Sequence, residues 1–327
     1  MPGADKPVAL VTAPFTGEGL DTLRSVCDVV LDPWIDHQPL RLYDGDALAE
    51  RIRAEGARVV ICEADNCKGP VLDLPLLAIG STRGDPTNVD VAGATERGIP
   101  VLHAPGRNAD GVAEITVALL FAVNRHLLAA DRDVRTGEIY RDGTIPYQRF
   151  RAWQLAGRTA GLVGLGAVGR ATRWRLEGLG MRVIAHDPYN DEATHSLEEL
   201  LAEADVVSMH AMVSPESLGM MGEAQFAAMK EGAIYVNSAR AALHDLDALT
   251  AALASGHLAG AGLDHFEGEF LATDHPLIAM DNVVLTPHIG GATYDTEANH
   301  SRLIADDLVR LLAGERPTHI ANPEVLS

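Results

Sequence analysis

Lysine is scarce in this chain of 327 residues: only Lys6, Lys68 and Lys230 occur, so arginine carries nearly all of the positive charge. With 46 acidic against 26 basic side chains the formal net charge is −20. A field of that sign repels nucleic acid and anionic membranes, and neither is an expected partner. Cysteine is rare too. Cys27, Cys62 and Cys67 are odd in number and scattered, which predicts reduced structural thiols rather than disulfides or a zinc site. Long apolar runs are missing: the longest, residues 115–123, is far short of the roughly 18–20 residues that cross a bilayer. The first residues lack a basic segment leading into an apolar one, so no signal peptide is evident. The expectation is a cytoplasmic globular protein without internal repeats, long enough for two domains.

What is present is a regular alternation of short β-branched apolar runs with amphipathic stretches. Strands are expected over residues 8–13, 28–32, 58–62, 77–81 and 100–103, with helices over 20–26, 46–54, 71–74 and 91–97. A long helical pattern runs from Asp110 to about Asp133, with Asn108 or Asp110 as its N-cap. Residues 135–154 have no clear periodicity and read as an arm or loop. A second series follows, with strands at 160–164, 182–186, 205–210, 233–238, 260–264 and 283–286, and a closing helix over 293–312. Such alternation implies parallel sheets covered on both faces. The predicted class is α/β with two doubly wound parallel-sheet domains. A flavodoxin-like substrate domain (1–104 and 293–327) would hold an inserted Rossmann NAD-binding domain (105–292), and the two crossings would make a hinged cleft.

The strongest motif is Gly164-Leu165-Gly166-Ala167-Val168-Gly169, preceded by a predicted strand and followed by Asp187 at the end of the next one. The first glycine makes the turn, the second admits a pyrophosphate, and the third lets helix and strand pack closely. Gly164, Gly166, Ala167, Val168 and Gly169 are therefore candidate phosphate contacts at a helix N-terminus. Asp187 would accept from a ribose 2′-hydroxyl and repel a 2′-phosphate, favouring NAD over NADP.

Three further segments put polar residues at predicted strand ends: Val236-Asn-Ser-Ala-Arg240, Leu263-Asp-His-Phe-Glu-Gly-Glu269 and Leu285-Thr-Pro-His288-Ile-Gly-Gly291. By chemistry alone Glu267 and Glu269 are equal candidates. With Asn88-Val-Asp90, Ala104-Pro-Gly106 and Val112-Ala-Glu114, these segments resemble the D-isomer-specific 2-hydroxyacid dehydrogenases over essentially the whole chain. The resemblance implies Arg240, Glu269 and His288 as catalytic residues, and its spacing selects Glu269. Arg240 would bind the substrate carboxylate and polarise the carbonyl. His288 would exchange the proton, and Glu269 would orient its ring. It also implies His210, Ser238, Ala239, Asp264, Gly290 and Gly291 at the nicotinamide end. A homodimer through the nucleotide domain, with residues 135–154 as the embracing arm, is a further implication.

Departures from the family pattern bear on the substrate, a small 2-hydroxy or 2-oxo acid. Arg83 and Asp85 stand around Gly84 where small residues are usual, so Arg83 and Gly84 are candidate substrate contacts. Glu63 would repel a phosphate and disfavour 3-phosphoglycerate. Together these suggest a polyhydroxylated substrate; the alternative is that Asp85 simply pairs with Arg83. His103 and His265 stand where other residues are usual, and local hydrogen bonding is the expectation for both. No histidine, cysteine or carboxylate grouping has metal-ligand spacing, so no metal is expected. Two competing functions are an NAD(H)-sensing protein like the corepressors on this fold and a phosphite-type dehydrogenase. A formate-type site would pair its histidine with glutamine, which Glu269 argues against.

Overall fold

The apolar runs assemble into two all-parallel sheets in the computed structural model, which describes residues 6–326. The chain forms two units: one runs to Arg107 and resumes at Thr293, and the other is Asn108–Ala292.

The first unit has strands β1 (Val8–Val11), β2 (Asp28–Leu31), β3 (Val59–Cys62), β4 (Ala78–Ser81) and β5 (Val101–Leu102), in the order β2-β1-β3-β4-β5. Central strands β3 and β4 are buried at every residue, as expected where helices cover both faces. Helices α1 (Gly17–Val26), α2 (Gly45–Glu55) and α3 (Val91–Glu96) alternate with them. Asp44 and Asp90 cap α2 and α3 by accepting from Ala47 N and Gly93 N, at 2.9 and 3.0 Å. The expected helix at 71–74 is instead a single 3₁₀ turn, Gly69–Asp73. Pro75 follows it closely and disfavours helical backbone in the residue before it.

The second unit contains β6 (Thr159–Val163), β7 (Arg182–His186), β8 (Val206–Met209), β9 (Ala233–Asn237), β10 (Leu258–Leu263) and β11 (Val283–Leu285). Their order is β11-β10-β9-β8-β6-β7, so the chain reverses its direction of progress between β6 and β8. The long pattern after Asn108 is two helices, α4 (Ala109–Asn124) and α5 (Leu127–Arg135), meeting at a 63° bend. The break lies at His126, whose φ of 52° cannot continue a right-handed helix. Asn108 occupies the N-cap position of α4 but makes no side-chain cap bond. The expected arm contains one short helix, α6 (Pro146–Arg149), and is tied down by Arg149, which donates to buried Asp133 at 3.0 Å. Helices α7 (Ala167–Gly178), α8 (Leu197–Glu203), α9 (Glu223–Ala228) and α10 (Leu246–Ala254) complete the layers.

After this insertion, α11 (Tyr294–Leu312) returns to the first unit and packs along α1. Gly19 permits the approach, since a Cβ there would lie 2.3 Å from the Ser301 carbonyl carbon. The three cysteines are buried free thiols. No single described helix is long and apolar enough to cross a membrane.

Candidate active site

Parallel strands aim their C-terminal ends at one edge of the sheet, and the polar residues singled out in the second unit follow those ends. Gly164 follows β6 and His210 follows β8, on either side of the point where strand order reverses. Gly164 has φ 98°, and a Cβ there would meet His210 and Ala211 backbone atoms at 2.6 Å. Gly169 is equally confined, its Cβ position lying 2.3 Å from Gly164 O. Gly166 differs: beyond its own backbone and its two chain neighbours, no atom lies within 4 Å of where its Cβ would be. Packing within the chain therefore does not require glycine there, whereas a pyrophosphate laid against the backbone does. Gly166 caps α7 without a side-chain acceptor, leaving the first N–H groups of Ala167 to Gly169 for an anion.

Asp187 follows β7 and is fixed by two backbone donors, Leu165 N at 2.8 Å and Tyr189 N at 2.9 Å, one to each oxygen. Each oxygen keeps a lone pair for a ribose hydroxyl. His210 Nε2 meets Ser208 Oγ at 2.9 Å, while Nδ1 is buried without a partner. Burial holds this imidazole down to about 4, hence neutral near pH 7. Open space at Gly166, uncapped N–H groups and an orphaned ring nitrogen together fit a dinucleotide.

Arg240, Glu269 and His288 all belong to this second unit. His288 Nδ1 lies 2.6 Å from Glu269 Oε1. Both side chains are open to solvent, 44 % and 60 % exposed, and both backbones are left-handed, with φ 54° and 55°. Gly268 (φ 61°) precedes Glu269 in the turn, and it is Glu269 rather than Glu267 that meets the imidazole. Arg240 is exposed, donates to Ala239 O at 2.6 Å, and has no carboxylate partner among the described residues. Its guanidinium is free to take an anion.

Two buried side chains hold these loops. Asp264 is fully buried, and its oxygens accept from Thr286 Oγ1 (2.6 Å), Ile289 N (2.9 Å) and Gly290 N (2.8 Å). It fastens the turn carrying His288 rather than standing free for a ligand. Asn237 accepts from Ala239 N and donates to Arg240 O, shaping the loop that presents Arg240. Ser238 is buried and hydrogen-bonded to Thr116 at 2.6 Å through their hydroxyls. Gly290 and Gly291 pack closely on Asp264 and Asn108. Asn237 could have been found in the sequence as an amide within a strand-end segment; nothing there announces its role.

The sequence spacing hid a third imidazole. His265 is only 5 % exposed, and its ring centroid lies 3.8 Å from that of His288. Burial first, then the His288 and Arg240 charges, hold it down to about 4. His265, Glu269 and His288 thus come together as ligand-type groups, although their spacing in the sequence is not that of metal ligands. His103 fulfils the simpler expectation, with Nδ1 2.7 Å from Gly84 O.

In the first unit, exposed Arg83 donates to Thr87 Oγ1 at 2.9 Å and forms no ion pair with Asp85. Glu63 is paired with Arg107, whose Nη1 also lies 2.7 Å from His300 Nδ1. The guanidinium donates there, so His300 carries its proton on Nε2, which donates to Pro14 O at 2.6 Å. Phosphate repulsion by a lone Glu63 carboxylate is therefore corrected: Arg107 neutralises it.

Residues 117–290 match the family described as "D-isomer specific 2-hydroxyacid dehydrogenase, NAD binding domain". A glyoxylate reductase of Thermofilum pendens is 37 % identical, over 98 % of this chain and 96 % of its own. A D-3-phosphoglycerate dehydrogenase of Archaeoglobus fulgidus is 34 % identical over 93 % of this chain and 57 % of its own length. Among solved structures, the TT0316 protein of Thermus thermophilus is 36 % identical with a TM-score of 0.81, covering 96 % of this chain and 99 % of that one.

Proposed function

The chain belongs to the D-isomer-specific 2-hydroxyacid dehydrogenase family, and from that premise we propose that it interconverts a small 2-oxo acid and its D-2-hydroxy acid through Arg240, His288 and Glu269. One observation carries this reading: the 2.6 Å bond from His288 to Glu269, in a unit whose Arg240 lacks any carboxylate partner. The carboxylate can only accept, so Nδ1 of His288 bears the hydrogen and Nε2 is left for the substrate oxygen. There it gives a proton in reduction and takes one in oxidation. Arg240 grips the substrate carboxylate with its planar fork and polarises the neighbouring carbonyl, stabilising the charge that develops on oxygen. Glu269 keeps the ring from turning. NAD supplies or receives the hydride when bound. Gly164, Gly166, Ala167, Val168 and Gly169 would hold its phosphates and Asp187 its ribose. His210, Ser238, Ala239, Gly290 and Gly291 would flank its nicotinamide end, with Asp264 acting through the turn it fastens.

Relatives named glyoxylate reductase support a short substrate. The roles of Arg83 and Gly84 are substrate contacts in this reading, with Arg83 reaching extra hydroxyls of a longer acid. A panel from glyoxylate to sugar-derived 2-oxo acids, followed by NADH absorbance, tests both parts. Activity is expected on at least one short acid. Chain-length selectivity left untouched by Arg83→Ala would remove Arg83 from the substrate site. The reading includes a homodimer through the arm, on which Tyr140, Tyr147 and Trp153 are exposed. Light scattering should return twice the chain mass.

A further inference from the structure

His265 has no part in the proton-transfer scheme, yet it sits within it. The residue is 5 % exposed, its ring makes no hydrogen bond among the described residues, and its nitrogens are not sealed from water, so they are available to a ligand. Its ring centroid lies 3.8 Å from that of His288, with the two planes inclined by 54°, and one ligand atom from each of His265, Glu269 and His288 lies within 4.8 Å of the others.

Two imidazoles and a carboxylate form a donor set that zinc accepts while keeping a fourth position open. Zinc bonds of about 2.0–2.1 Å place tetrahedral neighbours roughly 3.3 Å apart. Closing the group therefore draws its widest pair together by up to about 1.5 Å. The side chains that must move are His288 and Glu269, which are the exposed ones and also mark the entry path. His265 supplies the fixed point.

We propose that His265, Glu269 and His288 form a binding site for a divalent transition-metal ion of the zinc class, and that the bound ion inhibits the enzyme by occupying its proton-transfer pair. The inhibition rests on the roles assigned above to His288 and Glu269; the binding does not.

The test uses the full chain, freed of metal by chelation and titrated without substrate. Co²⁺ is followed by its visible absorption and Zn²⁺ by calorimetry. One ion per chain is expected, with Zn²⁺ displacing Co²⁺. His265→Leu, which fills similar buried space without a donor, should weaken Zn²⁺ binding by at least about 100-fold, because losing even an outer-shell partner costs 10–100-fold. Glu269→Gln, changed at an exposed position, should weaken it too and serves if His265→Leu fails to fold. Zn²⁺ added to the NADH assay should abolish turnover at concentrations matching the calorimetric affinity. Absence of a Co²⁺ band, or unchanged affinity in the variants, overturns the site. Zinc bound through His265 with turnover intact overturns instead the inhibition and, with it, the role given to His288.

Discussion

At the scale of single residues, the site is marked by strain. Four non-glycine residues among those described have left-handed backbones, and two of them, Glu269 and His288, are the hydrogen-bonded pair. Each costs on the order of 1 kcal/mol and persists only where surrounding bonds impose it. For His288 the imposing bond is its N–H to Asp264 O, 2.9 Å. Asparagine tolerates this backbone well, so His288→Asn should melt within a few degrees of the parent while turnover falls roughly 10²–10⁴-fold. Thermal melts beside NADH kinetics check this; a variant as active as the parent would falsify the proton-transfer role. The residue types at this pair were legible because family spacing fixes them in sequence. His265 was not, since its meeting with His288 depends on how two strand-end loops fold toward each other. Arg107 escaped for the same reason, its partner Glu63 lying on a different βα unit.

At the scale of elements, the β6–α7 turn separates the demands of folding from those of binding. Gly169→Ala drives a methyl into Gly164 O and must push α7 off β6. It should destabilise by a few kcal/mol, in the range of overpacking, and lose NADH affinity. Gly166→Ala meets no atom beyond its chain neighbours and has an ordinary φ of −75°. It should keep the parent's melting temperature and lose NADH affinity alone. Melts and NADH fluorescence titrations distinguish the two; equal melting losses would show that Gly166 serves packing. Strand positions were legible because buried parallel strands are short apolar runs between breakers. Less legible were the 63° bend between α4 and α5 and the single turn at Gly69–Asp73. In the bend, apolar spacing continues across a break made by one left-handed residue, and periodicity does not report φ.

At the scale of the whole molecule, four histidines couple stability to pH. His210, His244, His265 and His300 are each held down to about 4, burial being the leading cause. In the unfolded chain each titrates near 6.5. Between those values the unfolded chain binds about four more protons than the native one, so stability is complete above pH 6.5 and falls as pH drops toward 4. The limiting slope is about 5 kcal/mol per pH unit if all four act fully. Urea midpoints at pH 7.5 and 5.0 should differ accordingly, and equal midpoints would contradict the assignment. The insertion of one unit into the other has its own consequence, in time rather than in energy. During synthesis α1 emerges early, but the helix that covers it follows only after Asn108–Ala292 has been made. At about 5–20 residues per second this leaves the face of α1 around Gly19 and Leu23 waiting for many seconds. The nascent first unit is thus a natural client for chaperones that shield apolar surface, until α11 leaves the ribosome and closes it.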